Sequence, residues 1–327
     1  MARSFTFADL FAGIGGMRFA YESAGGQCVL TSEINEKARV TYRAQKWKSN
    51  HPDHVYVDDV VMLGDMPKSK IPKHDVLLAG FPCQPYSIAG LRQGLDDEKG
   101  RGQVFLSILD VLKKAQPKAF MLENVKGMLS HDGGRTIEFM CAELEKKGYR
   151  VYSPTILNSM THGGVPQNRE RVFIVGFRKD LGEVGFSFPQ EIPLKHSLKE
   201  HLEPIQVADR YFYDDRYECF AEIKASVKSS DTAYQWRRKY VRENKSNVCP
   251  ALTANMGAGG HNVPLVKVKD GIRKLTPREC ANLQGFPKGF VIPSYMADSH
   301  LYHQFGNSVT VPLIARIAKN IVKALPE

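Results

Sequence analysis

The stretch that most constrains this chain is Gly80-Phe81-Pro82-Cys83-Gln84-Pro85-Tyr86-Ser87, which follows the apolar run Asp75-Val76-Leu77-Leu78-Ala79. The run has the length and branching of a buried strand. Gly80 ends it, and two prolines then bracket the cysteine. Pro82 moves Phe81 out of the helical region, and neither proline can donate to a sheet. Cys83 is therefore expected on a stiff turn at the carboxyl end of a strand, where open α/β sheets place their ligands. A cysteine that merely packs fits the same stretch equally well, so the other strand ends have to be read beside it.

Phe5-Thr6-Phe7-Ala8-Asp9-Leu10-Phe11 reads as a first strand, followed by Gly13-Ile14-Gly15-Gly16 and a helical pattern through Met17, Phe19, Ala20 and Ser23. Such a strand, glycine turn and helix lets backbone approach a nucleotide-like ligand. A dinucleotide fingerprint would need glycine where Arg18 stands, so the turn suits an adenosine ligand without a pyrophosphate better than it suits NAD. The second strand, Gln27–Ser32, leads to Glu33, placed to accept hydrogen bonds from ribose hydroxyls. A helical segment is expected from Glu36 to Trp47, then a strand from Val55 to Asp58. Asp59 after it could meet an adenine amino group or simply cap a helix. Gly90 to Gly102, rich in glycine and charge, suits a surface loop and a lid. A helix from Gln103 to Ala115 leads to the strand Lys118–Leu122, which closes on Glu123-Asn124-Val125. Two adjacent strands then end in Cys83 and Glu123, which favours chemistry over capping.

Beyond a helix at Thr136–Lys147, two more strands are expected, Val151–Leu157 and Arg171–Phe177. Between them Arg169 and Arg171, one residue apart, project to the same side of an extended segment. They could both face an anion, or one could pair with Glu123; a solvated charged edge is the alternative. Near Phe188-Pro189 the strand–helix rhythm stops. The fold class expected is a Rossmann-like α/β sheet (residues 1–188, completed by 304–327), with a smaller, mostly irregular or β domain inserted (189–272) and a return segment (273–303). In the insert, Tyr234-Gln235-Trp236-Arg237-Arg238-Lys239-Tyr240-Val241-Arg242 interleaves basic and aromatic residues, as phosphates and bases require. A loop containing His261 and Asn262 could enter a groove. Thr276 caps a helix that starts at Pro277 and stops at Gly285. After Gly306-Asn307-Ser308-Val309, Ile314, Ile317, Ala318, Ile321 and Leu325 line one helix face.

Composition narrows the setting. The six cysteines lie far apart with no C-x-x-C pair, against zinc or a disulfide framework and in favour of a reducing cytoplasm. No metal site is expected. The net charge of +10 favours a polyanionic partner. No apolar run reaches the roughly 20 residues of a membrane span, and the N-terminus does not read as a secretory signal.

Taken in order, Asp9-Leu10-Phe11-Ala12-Gly13-Ile14-Gly15-Gly16, Gly80-Phe81-Pro82-Cys83-Gln84, Glu123-Asn124-Val125, Gln167-Asn168-Arg169-Glu170-Arg171, Arg278-Glu279-Cys280 and Gly306-Asn307-Ser308-Val309 resemble the motif set of the DNA (cytosine-5) methyltransferase family. The chain is similar to its compact bacterial restriction–modification members. That resemblance implies S-adenosyl-L-methionine as methyl donor, leaving as S-adenosyl-L-homocysteine. Its pocket would comprise Phe11, Gly13, Ile14, Gly16, Glu33, Ile34, Asp59, Val60, Gly80, Asn307 and Ser308, with Asp58 beside Asp59 as the other acid. Cys83, Glu123 and Arg169 would be catalytic. Phe81, Pro82, Gln84, Ser87, Arg101, Arg171, Arg237, Arg238, Lys239, Arg242, His261 and Asn262 would meet the target base or the DNA. Where members often carry threonine before leucine, this chain has Ala251-Leu252.

The resemblance further implies a cytosine flipped out of double-stranded DNA, attacked at C6 by Cys83, with Glu123 serving N3 and Arg169 orienting Glu123 or holding O2. The expected setting is a bacterial cytoplasm, at the nucleoid through DNA, as a monomer, with a restriction endonuclease acting separately on the same site. Rival readings are a tRNA cytosine-5 methyltransferase, a DNA-binding regulator without turnover, and an NAD-dependent dehydrogenase.

Overall fold

A computed structural model describes residues 4–49, 51–82, 101–204, 206–237, 239–258 and 262–326, without the side chains of 101–103. Cys83, Gln84, Ser87, Arg238, His261 and the Arg101 side chain, with most of the expected lid, lie outside the described residues.

The strands are β1 (Phe5–Leu10), β2 (Gly26–Ser32), β3 (Val55–Val57), β4 (Val76–Gly80), β5 (Ala119–Val125), β6 (Tyr149–Val151), β7 (Thr155–Asn158), β8 (Gln167–Asn168), β9 (Glu170–Arg178), β10 (Tyr234–Trp236), β11 (Val241–Glu243), β12 (Cys249–Pro250), β13 (Leu265–Val268) and β14 (Gly271–Lys274). The large sheet has eight strands in the order β3-β2-β1-β4-β5-β9-β6, with β7 also on β9. β1 to β5 run parallel, and β9 lies antiparallel to β5. The segment expected as one strand, 151–157, is two short ones separated at Ser153-Pro154, where proline interrupts the ladder.

Both faces of the sheet are covered, which is why β1, β4 and β5 read as nearly unbroken apolar runs. Alternate residues sort to the two sides. Phe7, Val76, Leu78, Ala119 and Met121 join Ile314, Ile317 and Ile321 of the C-terminal helix Val311–Ala324 in one core. Ala8, Leu77, Ala79, Phe120 and Leu122 face Phe105, Ile108 and Leu112 of the helix Arg101–Ala115 and Leu144 of the helix Arg135–Lys146. The apolar stripe of the last helix thus rests on the sheet that begins at Phe5.

Residues 211–274 carry a four-stranded antiparallel sheet, β11-β10-β13-β14. It has a small core of its own, with Tyr213, Ile223, Val227, Tyr234, Leu265 and Ile272 buried together. β12 leaves this module and pairs in parallel with β8, next to the large sheet. Thr276 then caps the helix Pro277–Leu283 in a full capping box with Glu279, and Glu279 also holds buried Arg273 through two bonds of 2.7 and 2.6 Å. A helix at Asp298–Asn307, which the sequence pattern did not disclose, brings the chain back to the carboxyl ends of the parallel strands.

Candidate active site

One cavity of about 320 Å³ opens over the carboxyl ends of β1, β2, β4 and β5, and its far wall is the end of the helix Asp298–Asn307. This is where the parallel order predicts a ligand.

The glycine turn forms its floor. Phe11, Gly13 and Gly15 have left-handed backbone, with φ of 58°, 56° and 87°. For Phe11 that conformation is strained, as residues that shape a ligand site often are. Ala12 N–H donates to the Ser32 carbonyl (2.9 Å) and Gly15 N–H to that of Ala12 (2.8 Å), closing the turn. Gly16 lies under the far wall: a Cβ there would sit 2.9 Å from Val309 Cγ2 and 3.0 Å from Ser308 Oγ. Arg18, which breaks the dinucleotide fingerprint, is wholly buried. It bonds Glu22, Tyr42 and the Ser49 carbonyl and lies 4.3 Å over the Trp47 ring. That ring in turn covers Gly15, where a Cβ would fall 2.2 Å from it. Arginine here thus pins the 45–49 loop onto the turn. The helix expected to run to Trp47 stops at Arg43, and Trp47 belongs to that loop.

Glu33 lines the cavity beside the turn. Its carboxylate accepts the N–H groups of Gly13 and Asn35, each at 2.7 Å. Burial raises its pKa against those bonds and the Arg39 charge. Two such bonds leave about half of a carboxylate's acceptor positions open, which fits a ribose diol. Ile34, 66% exposed at the cavity lip, offers an apolar face for a flat ring. Asn307 and Ser308 form the opposite wall with His303, one helical turn before Asn307 and 3.3 Å from its amide. Asp59 and Val60 open a short helix after β3: the Asp59 carboxylate accepts the Val61 N–H at 2.9 Å and is a helix cap. Neither lines the cavity. Asp58 pairs with Arg39 at 3.4 Å.

At the other end, β4 and β5 are in register with Gly80 opposite Glu123. A Cβ on Gly80 would crowd Met17 Cε at 3.1 Å and come into ordinary contact with Glu123 Oε2 at 3.5 Å. Asn124 donates to the Phe81 carbonyl at 3.2 Å, fixing the chain just before Pro82 and Cys83. Glu123 is 8% exposed. Burial raises its pKa, opposed by the charges of Arg171 and then Arg169.

The arginine in contact with Glu123 is Arg171, at 3.1 Å. The expectation that Arg169 orients Glu123 is corrected by this contact. Residue 169 falls in a tight turn between β8 and β9, where its N–H bonds the Gln167 carbonyl (3.0 Å). The two side chains therefore do not share the alternation of one strand. Arg169 instead runs inward to the carbonyls of Leu252 (2.6 Å), Gly306 (3.1 Å) and Ser308 (2.5 Å).

In the small module the interleaved stretch is a hairpin of β10 and β11, closed by an Arg237 N–H bond to the Tyr240 carbonyl (2.9 Å). Arg237, Lys239, Tyr240 and Arg242 are exposed on it, and Asn262 is half-buried. Among residues outside the expected set, Met17, Asn35, Ala38, Asn124 and His303 also line the cavity. His303 had a findable signal, its spacing of four from Asn307.

The comparisons agree with this architecture. The chain is 45% identical over 321 residues to the Type II methyltransferase M.Bsp6I of Bacillus sp. (strain RFL6), covering 97% of this chain and 98% of that one. It is 39% identical over 342 residues to the Type II methyltransferase M.HpaII of Haemophilus parainfluenzae, covering 99% and 91%. The fold is similar to that of the S. pombe Dnmt2 methyltransferase, with a TM-score of 0.69 over 96% of each chain at 18% identity. Residues 5–323 match the C-5 cytosine-specific DNA methylases. The chain belongs to that family and is a DNA (cytosine-5-)-methyltransferase.

Proposed function

We propose that the cavity binds S-adenosyl-L-methionine at its Glu33–Asn307 end and a flipped-out cytosine at its Glu123 end, and that Cys83 bonds transiently to C6 of that base. The observation that supports this most strongly is the Gly80–Glu123 register, which puts a buried carboxyl and the strand leading into Cys83 side by side over one cavity. Gly13, Gly16, Glu33, Ile34, Asn307 and Ser308 would hold the donor. When bound, it supplies an electrophilic sulfonium methyl group and leaves as S-adenosyl-L-homocysteine.

Carbon 5 of cytosine is too electron-poor to accept an alkyl cation unaided. Addition of the Cys83 thiolate to C6 makes C5 nucleophilic, and only the thiolate is reactive enough. Electron density from that addition accumulates on N3. Glu123, whose pKa is raised by burial, delivers a proton there, and Arg171 fixes the carboxyl's orientation. A base such as water takes the C5 proton, the Cys83–C6 bond breaks with its electron pair returning to sulfur, and N3 returns its proton to Glu123, which restores the aromatic ring. The target is inaccessible in a stacked duplex, which requires flipping, and the exposed Arg237, Lys239 and Arg242 suit phosphate contacts on double-stranded DNA. A restriction endonuclease acting on the same site completes the reading, with the chain working as a monomer in a bacterial cytoplasm.

The test is transfer of labelled methyl groups to duplex DNA and, in parallel, to tRNA. Cys83→Ser should abolish transfer to DNA while S-adenosyl-L-homocysteine still binds, and wild-type chain with S-adenosyl-L-methionine present should form a stable covalent adduct with 5-fluorocytosine duplex. Full activity of Cys83→Ser, or methylation of tRNA alone, overturns the reading.

A further inference from the structure

A buried guanidinium destabilises the fold unless its donors are met, so the partners of Arg169 show what it does. The residue is 2% exposed. Its Nη1 donates to the Leu252 carbonyl, on the segment leaving the small module, and its Nη2 to the Gly306 and Ser308 carbonyls, which flank Asn307 in the cavity wall, while its Nε is buried with no hydrogen-bond partner among the described residues. Gln167 repeats the arrangement two residues earlier. Its Oε1 accepts the Leu252 N–H (3.1 Å), and its Nε2 donates to the Leu283 carbonyl (2.7 Å) and to Gln284 Oε1 (3.2 Å). Gln284 in turn donates to the Phe305 carbonyl at 2.8 Å. The two segments also touch without side chains, since a Cβ on Gly306 would lie 2.1 Å from the Thr253 carbonyl carbon.

We propose that Arg169 is a positioning residue that couples the small module to the donor pocket. One rigid planar fork holds carbonyls from both segments. Moving either segment alone leaves a buried polar group unmet, which is unfavourable. Seating DNA on the small module therefore fixes residues 250–254, and through Arg169 fixes residues 306–308. Filling the pocket acts in the reverse direction by the same factor, because coupling of two binding events is reciprocal. The inference rests on the proposed binding of S-adenosyl-L-methionine in the cavity and DNA on the module.

Calorimetry on the full chain tests it, with S-adenosyl-L-homocysteine and a duplex whose site is found by sequencing DNA methylated in cells expressing the chain. Wild-type protein should bind each ligand about tenfold more tightly in the presence of the other. Arg169→Lys keeps the charge and loses the fork, and should bring both ratios below about threefold. A purely structural role would weaken both ligands and leave the ratios intact. Unchanged ratios in a folded Arg169→Lys, or wild-type ratios of one, overturn the inference. Hydrogen exchange on wild-type protein decides independently of how the variant folds: S-adenosyl-L-homocysteine alone should slow exchange in 250–254, and DNA alone should slow it in 305–310. Absence of either protection also overturns it. A wild-type chain that binds no S-adenosyl-L-homocysteine defeats the donor reading and the inference with it, whereas binding without coupling defeats the inference alone.

Discussion

In the proposed mechanism Glu123 gives a proton, and its surroundings favour the acid form. Burial raises its pKa while Arg171, 3.1 Å away, opposes the rise and holds the carboxyl in place. With the acid form as the proposed active one, the rate of methyl transfer should fall as pH climbs through that raised value. Glu123→Gln should lower the single-turnover rate by about 10²–10⁴ and erase that limb of the pH profile. Arg171→Ala should slow the reaction by about 10² and move the same limb to higher pH, because a cation that favoured ionisation is gone. Asp9 behaves differently. It is wholly buried, and desolvation pushes its carboxyl to about 7, with the Arg18 charge opposing. The folded chain then binds a proton that the unfolded chain, titrating near 3.9, has lost. Stability falls as pH rises across that window, by on the order of 3 kcal/mol from this group. Asp9→Asn should flatten the fall in Tm between pH 5 and pH 8, measured by calorimetry.

At the scale of elements, the parts most legible in the sequence were those in which one pattern governs a whole segment. Val76–Ala79 and Ala119–Leu122 are apolar on both faces, so the strands, their parallel placement and Glu123 at the end of one of them followed directly. The arginine pair was not legible, because the alternation of a strand holds only while the strand is unbroken, and the turn at residue 169 breaks it. Asp298–Asn307 hid for another reason: Asp298, Ser299, His300, His303 and Gln304 dilute its apolar period, and Gly306 lowers its helix propensity. Yet Gly306 is required there by the Thr253 backbone. Two alanine substitutions separate the uses of glycine. Gly306→Ala meets main chain at 2.1 Å and should cost more stability than the about 1–3 kcal/mol usual for overpacking, read as a sharp fall in Tm. Gly16→Ala meets the side chains of Val309 and Ser308 at 2.9 and 3.0 Å, which can move into the cavity. It should weaken S-adenosyl-L-homocysteine binding about tenfold, about 1.4 kcal/mol, with a smaller loss of Tm.

At the scale of the molecule, the charge of +10 belongs with a polyanionic substrate, and the hairpin of β10 and β11 exposes part of it on one small sheet. If Arg237 and Arg242 each neutralise a phosphate, replacing both with alanine should reduce the slope of log affinity against log salt by about 1.8, measured on duplex DNA. On the proposed reading the large sheet carries the chemistry and the small module meets the nucleic acid. Where they join, Arg169 grips carbonyl oxygens and Gly306 abuts a peptide group, so these contacts do not depend on which side chains the module exposes. Target preference is thereby free to drift, or to be transplanted from a relative, without retooling the hinge. A graft confined to the hairpin tip, residues 237–240, should keep its methylating engine, whereas one cut inside 250–254 should not.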